Sequence, residues 1–266
     1  MPASALRPRS VTEIVDVTFQ IYRTHFATLV MCTALAYLPA LVVRALFAGD
    51  AARILAGQAV EARTPVAMSL LAALLAILSY ALMSALLAIC TSQIYLGETV
   101  DVRAALRHAV ARLPAVIGAT VLVAMIIGVG MLLLIAPGVY AAALLFAVIP
   151  LLVIEDRGVF ASFARSGVLS QDRKWHILLT VGLTFLIYLV VLLGLSLVVG
   201  LLAAAVGFAG GVLLQTVLSS IVTICIYPII PITTVLLYYD ARIQSEGLDI
   251  ELLTDALAAA PAPATP

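Results

Sequence analysis

Long apolar stretches separated by short polar ones dominate the chain from residue 26 to residue 238. A helix crosses a bilayer core of about 30 Å with about 20 apolar residues, because each residue rises about 1.5 Å. Five stretches reach that length, and a sixth is shorter. The pattern therefore predicts six membrane spans. They lie at residues 26–47, 66–96, 115–136, 139–154, 177–206 and 212–238.

The boundary between the third and fourth spans is short. Only Pro137-Gly138 separates them, and this dipeptide is a strong turn signal. We expect a tight hairpin here. The alternative is a single span followed by a re-entrant segment, because the fourth stretch is the shortest of the six.

Three mixed segments, called elbow segments below, precede the first, third and fifth spans at residues 11–24, 101–113 and 158–170. In each of them, apolar positions recur every three or four residues, and charged or polar positions take the other face. The second segment carries three arginines, and Asp101 is placed to cap its helix. Amphipathic basic helices beside spans are expected to lie in the membrane interface.

The elbow segments also indicate an internal repeat. Residues 13–17 read EIVDV and residues 98–102 read ETVDV, while residues 155–159 are a weaker copy. The chain is therefore interpreted as three units, each with an elbow helix followed by two spans. The alternative is that any two amphipathic segments beside a membrane resemble each other.

Composition supports a membrane setting. Hydrophobic residues make up 64% of the chain and charged residues 11%, whereas a soluble domain is about half apolar and a quarter charged. The predicted fold class is an all-α polytopic membrane protein. A single integral membrane domain is expected over residues 1–258, with a disordered Pro- and Ala-rich tail at 259–266.

The basic residues predict the orientation. In a six-span topology, 11 of the 14 Lys and Arg residues fall on one side of the membrane. This side is expected to be cytoplasmic, because cytoplasmic loops carry an excess of basic residues. Both termini are then cytoplasmic. The basic residues on this side are Arg7, Arg9, Arg23, Arg103, Arg107, Arg112, Arg157, Arg165, Arg173, Lys174 and Arg242.

No motif in the sequence indicates catalysis, a cofactor or a metal site. The three cysteines lie inside apolar stretches and are expected to be packing residues. The span centres carry essentially no ionisable residue, which argues against an ion-coupled transporter. The net charge of zero gives no support for nucleic-acid binding. Membrane lipids, a membrane-protein partner or a second copy of the chain are the expected partners.

The last span is the most polar. Gln215, Ser219 and Thr223 recur every four residues, and Pro228 and Pro231 follow and should kink the helix. A broken polar helix can line a transport path. The alternative is a set of interhelical hydrogen bonds beside a tolerated kink.

Two stretches resemble a known family. One runs from Pro150 to Gly158 (PLLVIEDRG) and continues into SFARS at residues 162–166. The other is YYDAR at residues 238–242, followed by EGLD at 246–249. Both resemble the bacterial membrane-domain family named after glycerophosphoryl diester phosphodiesterases. Some members join this module to a separate catalytic domain. The present sequence has no soluble segment long enough for a catalytic barrel, so the resemblance implies the membrane module alone.

The two motifs supply a candidate charged network. Its members are Glu155, Asp156, Arg165, Asp240 and Arg242, all expected near the cytoplasmic surface. Within it, Asp240 is predicted to pair with Arg165. This pair would hold the third elbow segment against the end of the last span.

Three hypotheses for function remain. The first is a non-enzymatic scaffold or partner module in lipid or envelope homeostasis of the bacterial inner membrane. The second is a transporter or lipid-handling protein with a path beside the kinked last span. An intramembrane enzyme ranks lowest, because no catalytic constellation is present. A cavity beside the last span would favour the second hypothesis, and a solid interior the first.

Overall fold

The structure is a computed structural model that describes residues 9–55, 66–171, 173–206 and 208–246. Six of its helical stretches are long and apolar enough to cross a bilayer, so the chain is a multi-pass α-helical membrane protein. The predicted tail at 259–266 lies outside the described residues. In chain order the helices are α1 Val11–Thr24, α2 Phe26–Leu55, α3 Val66–Leu96, α4 Val102–Leu133, α5 Ile135–Leu144, α6 Val148–Ile154, α7 Val159–Leu169, α8 Lys174–Val206, α9 Phe208–Ile226 and α10 Ile229–Glu246.

Much of the surface is apolar, as expected of a protein that faces lipid. Leu132 is 88% exposed, and α8 presents Leu193 and Leu201 outward. In water an apolar surface of this extent would drive association, whereas lipid tails solvate it. Helix α8 is therefore a peripheral span.

Helix α1 begins with a capping box. The Ser10 backbone N–H donates to Glu13 Oε2 at 2.9 Å, and the Glu13 N–H donates to Ser10 Oγ at 3.4 Å. Ile14, Thr18 and Ile21 lie on one face and are buried, following the helical period. Helices α1 and α7 occupy the first and third elbow segments. Their position relative to a membrane, and the internal repeat, stay predictions.

The second elbow segment does not form a separate helix. Residues 102–113 are the first turns of α4, which continues through Pro114 to Leu133. Asp101 does cap this helix, because its Oδ1 accepts the N–H groups of Arg103 and Ala104 at 3.0 Å. In lipid no water replaces a lost helical hydrogen bond, so a single proline bends a helix more readily than it ends it.

The hairpin between α4 and α5 turns earlier than the sequence indicates. The break is at Leu134, whose backbone is extended, and Pro137 and Gly138 lie inside the first turn of α5. The two helices touch at glycines: a Cβ on Gly130 would approach the Cα of Gly138 to 2.8 Å. Gly138 is therefore required for close backbone approach and not for the turn itself.

Two of the six spans are each interrupted by a break within the span. Helices α5 and α6 are separated at Leu145–Ala147, and α9 and α10 at Tyr227–Pro228. The predicted kink in the last span is thus present as a full interruption. Each restarting helix carries a proline at its third residue, Pro150 in α6 and Pro231 in α10. A proline there costs no hydrogen bond, because the first-turn N–H groups have no intrahelical acceptor.

Helix α10 lies at the centre of the fold. Every residue from Val235 to Ala241 is buried, including Tyr238 and Tyr239. It packs against α1, α3, α6, α7 and α8. The stretch YYDAR therefore lies in the most enclosed of the described helices. In the sequence it comes at the end of the last apolar stretch.

Candidate functional site

Charged side chains gather around the last turns of α10. They come from the starts of α1 and α8 and from α7. We call this region the charged end. Asp240 is its most buried member, 4% exposed. Asp240 Oδ1 accepts the backbone N–H of Arg9 at 2.8 Å, and Oδ2 accepts Gln244 Nε2–H at 2.7 Å. Arg173 and His176 at the start of α8 approach Oδ2 to 3.9 and 3.7 Å. Asp240 thus ties both α1 and α8 to α10.

The predicted pair of Asp240 with Arg165 is wrong. Arg165 of α7 forms an ion pair with Glu246 instead. Residues 240 and 246 lie about 120° apart around the helix axis, since each residue turns about 100°. Asp240 therefore faces α1 and α8, while Glu246 faces α7. The expected clamp between α7 and the last helix exists, but its acidic partner lies six residues further along the chain.

Glu155, at the end of α6, is the second centre of the charged end. Its carboxylate accepts hydrogen bonds from Tyr238 Oη at 2.8 Å and Arg157 Nε at 2.5 Å. Arg242 Nε lies 3.9 Å away. Burial raises the pKa of Glu155, but these donors outweigh it and hold the pKa below its usual value. Glu155 is therefore ionised at neutral pH and fastens α6 to α10.

Asp156 and Arg112 join the loop after α6 to α4. Arg112 Nη2 lies 2.7 Å from Asp156 Oδ1 and donates to the Asp156 carbonyl at 3.1 Å. His108 Nε2 is 3.2 Å from the same carboxylate. The Asp156 side chain is 55% exposed, so these contacts contribute little stability individually. Three of the five network candidates, Glu155, Arg165 and Arg242, thus lie around α6, α7 and α10. Asp240 faces α1 and α8 instead, and Asp156 lies at the rim.

Ser166 of α7 closes the break between α5 and α6. Its hydroxyl donates to the Leu144 carbonyl at 2.7 Å and accepts the Ala147 N–H at 3.2 Å. One side chain thus serves the last turn of one helix and the first turn of the next. Sequence reasoning missed this role. Two signals were present: Ser166 ends the SFARS motif, and a proline occupies the third residue of α6 as it does in α10.

A partly open cavity of about 490 Å³ lies between helices of the bundle. Its walls come from α3, α4, the break between α5 and α6, and the break between α9 and α10. Leu145 and Phe146 from the first break and Tyr227 from the second all line it. Most of the lining is apolar, and no charged residue is part of it among the residues that the structure describes. Its size lies within the range of about 300–1,000 Å³ that is usual for small-molecule sites.

The cavity lies within the predicted membrane depth. On α3 it extends from Tyr80 to Ala88, about 24 to 12 Å along the helix from Leu96 at the charged end. On α4 it includes Thr120 and Ile127, which follow the basic first turns. The cavity therefore occupies the middle of the spans and the half nearer the charged end.

Only part of the polar lining that the sequence predicts for the last span contributes to the cavity. Pro231 lines the cavity, whereas Gln215, Ser219 and Thr223 are not among its lining residues. Ser219 and Thr223 donate to carbonyls of their own helix, at 3.2 and 2.8 Å. Pro228 is buried in the break itself. The site is thus formed by the break and not by the polar stripe before it.

Among the described residues, no group of three or more His, Cys, Asp or Glu side chains is placed to hold a metal ion. Cys32 and Cys90 are buried free thiols whose sulfurs lie 3.6 Å apart between α2 and α3. Both pack in the core of the helical bundle.

No protein-family model, no curated protein and no solved structure matches the chain. The resemblance carried by the two motifs therefore stays a prediction.

Proposed function

We propose that this chain is a lipid-handling protein, which binds the apolar part of a membrane lipid in the cavity between its two helix breaks. The observation that carries the proposal is the meeting of both breaks at one cavity. Leu145 and Phe146 come from one break, and Tyr227 and Ile230 from the other.

Helix breaks inside a bilayer have a cost, because backbone groups without water need partners in the protein. Such breaks persist where they are buried or line a cavity, and discontinuous helices form the binding sites of many membrane transporters. In this chain, Ser166 supplies the partners at the first break. A chain that needed only to span the membrane would not require either interruption. The two breaks therefore favour a binding site over a passive bundle.

A second groove provides a comparison. It lies between α4 and α5, has a similar volume of about 480 Å³ and is lined by residues such as Val129 and Ala141. Its described lining contains no hydroxyl group and no helix break other than the hairpin turn. A groove of this kind holds bulk lipid as any irregular membrane surface does. Specific binding is therefore assigned to the cavity between the breaks.

The orientation and location are part of the proposal. The excess of basic residues on one side supports cytoplasmic termini, and the family resemblance supports a bacterial inner membrane. The charged end would then face the cytoplasm. Cysteine-accessibility labelling of a variant without native cysteines tests this: a label at Ala56 should be reached from outside and one at Ser10 should be protected. The reverse pattern would refute the orientation.

The binding proposal is tested with two neighbouring alanines. Ala142 lines the cavity, Ala141 lines the comparison groove, and both are half-buried. Ala142→Trp fills the cavity, whereas Ala141→Trp places the same bulk in the groove. Each protein is purified in mild detergent and its bound lipid is measured by native mass spectrometry. We expect wild type and Ala141→Trp to retain lipid and Ala142→Trp to lose it.

Equal lipid retention by the two tryptophan variants would contradict the proposal. A protein that releases all lipid while capturing a protein partner would instead support the scaffold hypothesis. Both variants are also compared by thermal unfolding, so that a misfolded protein is not counted as one that has lost its ligand.

A further inference from the structure

We infer that the ligand of this cavity is a lipid that carries a carbonyl oxygen inside the apolar part of the bilayer. The inference rests on the proposed lipid binding and specifies the chemistry of the ligand. It follows from the hydroxyl groups that line the cavity and from the partners that these groups have or lack.

Five hydroxyl-bearing residues line the cavity. Two of them already donate to carbonyls of their own helices, Ser84 to Ala81 at 2.9 Å and Thr234 to Ile230 at 2.9 Å. The other three have no hydrogen-bond partner among the described residues. These are Thr120, whose hydroxyl is also buried, and Tyr80 and Tyr227.

Thr120 is the most informative of the three. Its Oγ1 is shielded from solvent and has no hydrogen-bond partner. This is unusual for a helical threonine, which can donate to the carbonyl three or four residues before it. An unpaired buried hydroxyl costs free energy, and native proteins rarely retain one without a reason. Because Oγ1 is not exposed to the cavity in this conformation, the proposed hydrogen bond to a ligand requires a rotation about the Cα–Cβ bond that exchanges Oγ1 with the methyl group.

Tyr80 and Tyr227 place two further donors on the same cavity. Their rings lie 5.9 Å apart between centroids and are tilted by 57°. Tyr80 is 47% exposed, which places it at the mouth of the cavity. A phenol donates one hydrogen bond and needs an acceptor when water is absent. A pure hydrocarbon has no acceptor to offer.

The lining also limits the charge of the ligand. None of the described Lys, Arg, Asp or Glu residues contributes to it, so an ionised head group would meet no counter-charge from the described part of the chain. A neutral acceptor on an apolar chain fits both conditions. Carbonyl oxygens of this kind occur in the esters of diacylglycerols and in the ring of isoprenoid quinones. The shared chemistry is a neutral carbonyl joined to a long apolar chain.

Three probes separate these sources. They are a diacylglycerol, an isoprenoid quinone and squalane, a branched hydrocarbon that has no oxygen. Affinities are compared in detergent by ligand-induced thermal stabilisation of the full chain. One membrane hydrogen bond changes an affinity by about 3- to 30-fold. We expect wild type to bind at least one carbonyl probe more tightly than squalane by a factor in this range. The preferred carbonyl probe identifies the source.

Two threonine-to-valine substitutions test whether the Thr120 hydroxyl donates a hydrogen bond to the ligand. Thr120→Val removes the unpaired hydroxyl, whereas the control Thr234→Val removes one that already has a partner. We expect Thr120→Val to lose most of the preference for the carbonyl probe and to keep its affinity for squalane. Thr234→Val should keep the preference. Tyr227→Phe provides a second test that does not depend on the folding of the Thr120 variant.

Equal affinity of wild type for squalane and for both carbonyl probes would overturn the inference. So would a preference that survives both Thr120→Val and Tyr227→Phe. Either result leaves the proposed lipid binding intact, provided that Ala142→Trp still abolishes binding of squalane. Failure of Ala142→Trp to weaken any probe would refute the proposed function itself.

Discussion

Replacing Ser166 with alanine should destabilise the protein by about 2–4 kcal/mol, because one hydroxyl serves two backbone groups at the break between α5 and α6. It donates to the Leu144 carbonyl at 2.7 Å and accepts the Ala147 N–H at 3.2 Å. Ser166 is fully buried, and so is Ala147. Alanine would leave a donor and an acceptor unpaired within the predicted membrane depth.

The magnitude follows from these two groups. An unsatisfied buried polar group costs about 1–3 kcal/mol, so two would cost about 2–6 kcal/mol. Interhelical hydrogen bonds in membrane proteins contribute about 0.6 kcal/mol on average, because the unfolded chain in the membrane finds other partners. The expected value lies between these limits. A value of about 2–4 kcal/mol allows for both unpaired groups and for partial compensation by other partners.

Ser162 offers a matched control on the same helix. It is equally buried, but its hydroxyl donates at 3.0 Å to the Gly158 carbonyl, which also accepts the Ser162 N–H at 2.9 Å. Ser162→Ala therefore strands no backbone group and should cost under about 1 kcal/mol. The free energy of unfolding is measured by SDS titration in mixed micelles. Equal effects of the two substitutions would refute the assignment of Ser166 as the bridge across the break.

Two further predictions concern the charged end. In double-mutant cycles measured by SDS titration, Arg165→Ala and Glu246→Ala should show a coupling of about 1 kcal/mol. The effects of Arg165→Ala and Asp240→Ala should be additive within about 0.5 kcal/mol. The opposite pattern would support the pair of Asp240 with Arg165 that the sequence predicts. The lowered pKa of Glu155 means that its ion pairs stabilise the protein above the usual glutamate pKa and that this contribution is lost as the pH falls through the folded-state pKa. Melting temperatures recorded from pH 7 to pH 3 should therefore fall less steeply for Glu155→Gln than for wild type, and parallel curves would contradict this role.

Most of the fold can be predicted from the lengths of the apolar stretches alone, because a span in lipid must pair its backbone groups internally and therefore forms a helix. Helix boundaries are harder to predict at prolines, because a proline can end a helix, bend it or lie in its first turn. Pro114 does not interrupt α4, and Pro137 lies inside α5. Proline marks the first turn of a restarting helix in α5, α6 and α10, so the break lies a few residues before it.

The site was harder to predict, for geometric reasons. The motif residues do meet at one end, but the partner of Arg165 depends on how α10 is rotated, which no local pattern encodes. The polar stripe of Gln215, Ser219 and Thr223 suggested a lined path, yet Ser219 and Thr223 bond to their own helix. Residues that line the cavity come from four distant parts of the chain. Their proximity depends on packing between helices and not on any periodicity.

The most direct test of the central claim is the identity of the lipid held beside the two breaks. A photoreactive benzoylphenylalanine is introduced at Ala142, which lines the cavity, or at Ala141, which lines the comparison groove. After irradiation in native membranes, the crosslinked lipids are identified by mass spectrometry. We predict that position 142 captures a restricted class of neutral, carbonyl-bearing lipid, while position 141 captures lipids in their bulk proportions. The same bulk mixture at both positions would contradict a specific lipid site between the breaks.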